Sequence, residues 1–103
     1  MKPANLFEDC AAPGAGERFD VLLAHRNLLI ERIVSSAGLA PSTYVQSQDE
    51  WVVLLRGEAE VELAGETVAL KSGDHVFLPA GTAHTVKTVS EGAMWLAVHL
   101  HAA

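Results

Sequence analysis

The sequence has one cysteine, few basic residues and no long apolar run. A single cysteine, Cys10, excludes an intrachain disulfide, and only Glu8 and Asp9 stand beside it, so we expect a free thiol without a catalytic role. The chain has seven Lys and Arg residues and 13 acidic residues, which gives a net charge of −6, and the basic residues are scattered along the sequence. Because phosphate binding depends on a basic surface, nucleic acid is not an expected partner.

Apolar residues make up half of the 103 positions but are never continuous enough for a membrane span. A spanning helix needs about 18–20 consecutive apolar residues, and no segment comes near that length. The N-terminal stretch MKPANLFEDC also lacks the apolar core of a secretory signal. We therefore expect one soluble domain that works in the cytoplasm and not at a membrane.

The N-terminal part predicts an arm followed by one helix. Two prolines and two glycines interrupt the first sixteen residues, which favours a loop. Over residues 17–24, the apolar side chains of Phe19, Leu22 and Leu23 fall at spacings of three and four, which predicts a short helix.

From residue 27 onward, short strand-like segments alternate with turn signals. The segments are NLLIERIVS, EWVVLLRG, the hairpin EAEVELAGETVAL, HVFLP, AHTVKTV and AMWLAVHLH. Seven or eight short strands predict an antiparallel sandwich or barrel, and the alternating glutamates 58, 60 and 62 are interpreted as a solvated face. The expected organisation is an arm and helix over residues 1–26, packed on a β-barrel over residues 27–103.

Two stretches have a spacing that strand alternation does not explain. The first contains Gly38, Tyr44, Gln46, Glu50 and Gly57, and the second contains Gly73, Pro79, Gly81 and His84. This pair resembles the two signature motifs of the cupin superfamily over residues 38–88, and GDHVFLPAGTAH matches the second motif at Gly73, Pro79, Gly81 and His84. The flanking segments are similar to those of short bacterial cupins of undefined activity. The resemblance implies an all-β fold, a small double-stranded β-helix or jelly-roll barrel.

The resemblance also implies a place for a divalent metal, commonly iron, manganese, nickel or zinc. The ligands of the family, three histidines and a glutamate, fall on Tyr44, Gln46, Glu50 and His84, and only the last two keep the family's identity. An amide oxygen and a phenol are weak ligands for these metals, so we expect affinity to be lower by orders of magnitude. If a metal binds, Gln46, Glu50 and His84 are its candidate ligands.

Residues 44, 46 and 50 share parity, so in an unbroken strand their side chains project to one face, the barrel interior. Tyr44 and Gln46 beside Glu50 would form a polar patch suited to orienting a small organic ligand. The alternative is a hydrogen-bonded core network without a ligand.

The last strand offers His99 as a further ligand-binding residue. If His99 faces inward, it could join Glu50 and His84 in a set of two histidines and one carboxylate. The opposite face of this strand, with Met94 and Leu96, is more uniformly apolar, which favours a solvent-exposed His99. His25, His75 and His101 are expected at the surface.

Two classes of function stay open from the sequence. The first is a small-molecule-binding cupin that acts as a metal-dependent enzyme, oxygenase-like or isomerase-like, with Glu50 and His84 as catalytic residues. The second is metal-free: Glu50 then acts as a general base or ligand anchor, with Tyr44 and Gln46 orienting a sugar or small acid, or the protein is a ligand-binding or regulatory cupin without turnover. Trp51 has the opposite parity to Glu50, and its outward side chain predicts cover from the arm or from the second subunit of a homodimer.

Overall fold

The computed structural model describes all of residues 1–103 and is built from nine strands. They are β1 (Glu17–His25), β2 (Leu28–Ser35), β3 (Thr43–Tyr44), β4 (Asp49–Arg56), β5 (Glu58–Leu63), β6 (Glu66–Lys71), β7 (His75–Leu78), β8 (His84–Val89) and β9 (Ala93–Leu100). Five strands form one antiparallel sheet in the order β1-β2-β9-β4-β7, and four form the other in the order β3-β8-β5-β6. The predicted all-β jelly-roll barrel is confirmed, and no helix long and apolar enough to cross a membrane is present.

The core lies between the two sheets and consists of ten buried apolar residues. They are Val52, Leu54, Ala59, Val61, Leu70, Leu78, Val89, Ala93, Trp95 and Ala97. Most come from positions that alternate along β4, β5 and β9, as expected for strands with one face toward a core. The opposite positions of β5 carry Glu58, Glu60 and Glu62, and Glu62 pairs with Lys87 at the surface.

Turns between strands use residues with positive φ. In the β5–β6 hairpin, Ala64 and Gly65 have φ values of 49° and 86°, as a two-residue turn of the primed type requires. Gly57, between β4 and β5, has a φ of 98°, and a Cβ there would stand 2.6 Å from Ser90 Oγ. Only glycine therefore lets the chain pass so close to the β8–β9 connection.

The predicted helix over residues 17–24 is wrong, because this segment is strand β1 and pairs antiparallel with β2. The reason is a bulge between Val21 and Leu23, which inserts one extra residue into the strand. The bulge shifts the alternation by one position, so the apolar residues on its two sides fall at spacings that resemble those of a helix.

A buried arginine fastens the N-terminal arm to the outer face of the barrel. The Arg32 guanidinium donates hydrogen bonds to the backbone oxygens of Leu6, Glu8 and Asp9 at 2.6, 2.8 and 3.1 Å. It also donates to the carboxylate of Asp20 on β1, at 2.8 Å from Nη2. The arm thereby covers part of the five-stranded sheet, and Cys10 is free within it.

Candidate functional site

A cavity of about 130 Å³ opens between the two sheets and has mostly apolar walls. Its polar lining comes from strands of both sheets and from the segment before β4. The polar residues are Glu17, Glu31, Tyr44, Gln46, Glu50, His84, Thr85 and His99. Carboxyl groups and histidines thus share one small, partly enclosed space, in which electrostatic interactions are stronger than in water.

Glu50 lies near the centre of this arrangement and is held in place by Gln46. Its side chain is 8% exposed, and its Oε1 accepts a hydrogen bond of 2.7 Å from Gln46 Nε2. The loop after β7 holds the other side of this segment, since the amides of Gly81 and Ala80 donate to Gln46 O and Asp49 Oδ1 at 2.8 Å each. Gln46 therefore presents its amide nitrogen, not its oxygen, to the carboxylate.

His99 faces the cavity from β9, directly across the ladder from Glu50. Its Nε2 lies 2.9 Å from Glu31 Oε1, and its Nδ1 lies 3.2 Å from Gln48 Nε2. Because a carboxylate accepts and an amide nitrogen donates, Nε2 carries the proton and Nδ1 accepts. The Nδ1 atom is 3.9 Å from Glu50 Oε1, which is too long for a hydrogen bond.

Tyr44 and His84 form the rim of the cavity. They are directly opposed on β3 and β8, and their rings stack with centroids 5.8 Å apart. Tyr44 is 47% exposed, so its ring borders solvent on one side and the cavity on the other. His84 is half-buried, and its Nδ1 is 3.4 Å from the backbone oxygen of Thr82.

The structure brings all five sequence-predicted site residues to this cavity: Tyr44, Gln46, Glu50, His84 and His99. The preference for a solvent-exposed His99 is wrong, because His99 is 6% exposed. The apolar pattern misled because β9 lies between β2 and β4 and is buried on both faces, with Met94 at 0% and Trp95 at 4% exposure. His25, His75 and His101 lie at the surface, as predicted.

Sequence reasoning missed two acidic residues of the cavity, Glu17 and Glu31. The signal was available for Glu31, which shares parity in β2 with Ile33 and with Ser35, a residue that is 0% exposed. Glu17 was hidden by the helix prediction. Glu17 Oε2 accepts a hydrogen bond of 2.7 Å from Ser35 Oγ, and Ser35 Oγ in turn accepts one of 3.1 Å from Trp95 Nε1.

The residues at the family's metal positions do not fit a metal ion. No group of three His, Cys, Asp or Glu side chains is arranged to hold one. Both ring nitrogens of His99 are hydrogen-bonded, one to Glu31 and the other to Gln48. Gln46 points its amide nitrogen, a donor, at the Glu50 carboxylate and so does not present its oxygen there as a second ligand. A metal ion that left these hydrogen bonds intact would find no set of three His, Cys, Asp or Glu ligands.

Comparison with known proteins gives consistent matches. The family model for the cupin domain matches residues 32–99. An uncharacterised Streptomyces coelicolor protein is 32% identical over 91 residues, which cover 88% of this chain and 84% of the relative. A Ralstonia eutropha JMP134 crystal structure, provisionally named a mannose-6-phosphate isomerase, is 34% identical with a TM-score of 0.85 and covers 99% of this chain and 100% of its own. KdgF from a Halomonas species shares the fold at 20% identity, with a TM-score of 0.77. The match covers 85% of this chain and 81% of the KdgF chain.

Proposed function

The chain belongs to the cupin-domain family, and from that membership we propose that its barrel cavity binds a small organic molecule without a metal ion. The observation that carries the proposal is the hydrogen-bonding of Glu50 and His99. Each is more than nine-tenths buried in the cavity wall. Both ring nitrogens of His99 are engaged by Glu31 and Gln48, and Glu50 Oε1 accepts a hydrogen bond from Gln46. A preformed apolar cavity with a few fixed polar groups is the usual form of a small-molecule site.

The roles of the individual residues follow from their positions. Glu50 and His99 form the polar floor, where the second carboxylate oxygen of Glu50 accepts a hydrogen bond from a ligand and His99 is held beside it by Glu31 and Gln48. Tyr44 and His84 at the rim supply ring faces and two polar tips, which fix the orientation of the part of the ligand nearest to solvent. Gln46 holds Glu50 and is a positioning residue.

A catalytic version of the same proposal rests on Glu50 and His99. The name of the Ralstonia relative points to aldose–ketose isomerisation, in which a base removes a proton from the carbon beside a carbonyl and returns it to the neighbouring carbon. Glu50 would be that base, through the carboxylate oxygen that Gln46 does not bind, and His99, held by Glu31, would stand beside it. The assay for this version is hydrogen–deuterium exchange into small aldoses, with Glu50→Gln as the inactive variant.

The experiment on metal dependence uses protein purified without chelators and without metal-affinity resin. We expect elemental analysis to find iron, manganese, nickel and zinc well below one per chain. Added Zn²⁺, Mn²⁺, Ni²⁺ or Fe²⁺ should raise the melting temperature of the wild type no more than that of the Glu50→Gln, His84→Ala double variant. A metal that copurifies at one per chain and is absent from the double variant would overturn the metal-free proposal.

We also propose that the protein is a homodimer that pairs through the outer face of the five-stranded sheet. Trp51 on β4 and Phe77 on β7 are cross-strand partners on that face, 37% and 58% exposed. Two neighbouring aromatic side chains that remain open to water are typical of a surface that another subunit covers.

A further inference from the structure

The charged lining of the cavity has one sign. Glu17, Glu31 and Glu50 line it, and no lysine or arginine is among the lining residues. The arginine nearest to them in the β2 sequence, Arg32, is used on the opposite face, where it binds Asp20 and the arm. A phosphate or carboxylate ligand in this cavity would therefore meet acidic groups without a compensating cation, which makes anion binding unfavourable.

Each of the three carboxylates uses one oxygen within the protein and keeps the other free. Glu17 Oε2 is bound to Ser35, Glu31 Oε1 to His99 and Glu50 Oε1 to Gln46. No buried side-chain oxygen in the protein lacks a hydrogen-bond partner, so the second oxygens are not sealed in the core. They are accessible acceptors, and in Glu50 the acceptor belongs to a side chain that is only 8% exposed.

Aromatic rings stand beside these acceptors. Phe19, Tyr44 and Trp95 all line the cavity, and Phe19 and Tyr44 are 56% and 47% exposed, so both border its opening. Carboxylates together with aromatic faces are the groups that bind organic cations, by charge pairing and by cation–π attraction. No lysine or arginine lines the cavity to attract an anion in the same way.

The size of the cavity limits the ligand. At about 130 Å³, it is close to an engineered cavity of about 150 Å³ that holds benzene. A six-membered ring with one short substituent fits this volume, whereas a hexose phosphate would extend outside it.

We propose that the cavity selects a small organic cation, a protonated amine on a compact apolar or cyclic frame, with Glu31 and Glu50 as its charge partners. This inference rests on the proposed function, since it names the class of molecule that the same cavity binds. It separates this chain from the Ralstonia relative, whose name implies a phosphorylated sugar.

The test compares three probes of nearly equal size that differ in charge: benzylammonium, benzyl alcohol and benzoate. Each is titrated into the uniformly ¹⁵N-labelled full chain at pH 7, and binding is followed by the shifts of the amides of β2, β4 and β9. We expect benzylammonium to bind about tenfold more tightly than the alcohol, and benzoate more weakly than both. Equal or tighter binding of the alcohol or of benzoate overturns the charge preference and leaves the proposed ligand site standing. If none of the three shifts these amides, both proposals fail.

Matched variants identify the residues responsible. Glu31→Gln and Glu50→Gln keep the side-chain shape, and each should weaken benzylammonium about three- to tenfold, by a larger factor than it weakens benzyl alcohol. Glu60→Gln is the control, because Glu60 is exposed on β5 outside the cavity and should leave both affinities unchanged. An equal loss with Glu60→Gln would mean that the cation responds to the net charge of the protein, which contradicts the proposal.

Discussion

At the scale of single residues, Gly57 and Gly73 separate two reasons for requiring glycine. Their φ values are nearly equal, 98° and 95°, but a Cβ at Gly57 would lie 2.6 Å from Ser90 Oγ and 3.1 Å from Ala93 Cα, whereas one at Gly73 meets no atom within 4 Å. Gly73→Ala should therefore lower the free energy of unfolding only by the cost of holding alanine in a left-handed backbone conformation, about 1–2 kcal/mol. Gly57→Ala should cost roughly 2–4 kcal/mol, because Ser90 must move and the hydrogen bond that its Oγ accepts from Glu58 N weakens.

Urea unfolding of both variants and the wild type measures these differences. Gly73→Ala serves as the control for the conformational cost alone. Equal destabilisation of the two variants would show that the close approach of the chain at Gly57 has no energetic consequence.

The cavity residues show what a single sequence can and cannot predict at this scale. The convergence of Glu50 and His84 on one cavity followed from motif spacing, because turns at fixed intervals set the positions of the strands that carry them. The direction of His99 did not follow, since a strand buried on both faces has no polar side to reveal its orientation. The contact between Glu31 and His99 joins residues 68 positions apart, and alternation within a strand carries no information about such a pair.

At the scale of elements, the attachment of β1 depends on a charge cluster on its outer side. Asp20 accepts hydrogen bonds from Arg32 and from Arg18, and these lower the pKa of the Asp20 carboxyl below its ordinary value of 3.8, Arg32 contributing most. The folded state thus favours the ionised form. The stabilisation is complete at pH values above 3.8 and is lost as the pH falls through the lower pKa of the folded protein.

Asp20→Asn should therefore lower the free energy of unfolding by about 1–2 kcal/mol at pH 7. The difference from wild type should stay constant down to about pH 5 and shrink below pH 3.8. Urea titrations at several pH values measure it, with Asp9→Asn as control, because the Asp9 side chain is 89% exposed and 3.4 Å from Arg18. A difference that persists unchanged to pH 2, or an equal cost for Asp9→Asn, would contradict this account.

The misassigned β1 shows how an irregular element defeats periodicity. A regular strand would show strict alternation of apolar and polar residues. The bulge after Val21 adds one residue, so the alternation before it and the alternation after it are out of step. The strands from β4 to β8 were predictable because turn residues bound each of them. β4 and the β5–β8 pair also contain register shifts, but their bounding turns and apolar residues still identified them, whereas β1 is defined by its pairing with β2.

At the scale of the whole molecule, the barrel leaves aromatic surface that its own chain does not cover. The arm covers the sheet around Arg32, while Trp51 and Phe77 stay open to water. Monomeric proteins seldom expose neighbouring large apolar side chains on a regular sheet face. A second copy related by a twofold axis would bring the same pair of rings from each subunit together.

Phe77→Asp tests this arrangement because the side chain points away from the core and its loss creates no cavity. We expect the wild type to be a dimer by light scattering coupled to gel filtration, and the variant to be a monomer, since two carboxylates buried at the twofold contact repel each other. The melting temperature of the variant should fall only by the contribution of dimerisation, and should then no longer depend on protein concentration. Val45→Asp is the matched control, because Val45 is 65% exposed on the connection between β3 and β4, outside this face, and its variant should stay dimeric. A wild type that is monomeric at high micromolar concentration, or a Phe77→Asp variant that stays dimeric, would show that the exposed rings do not form the subunit contact.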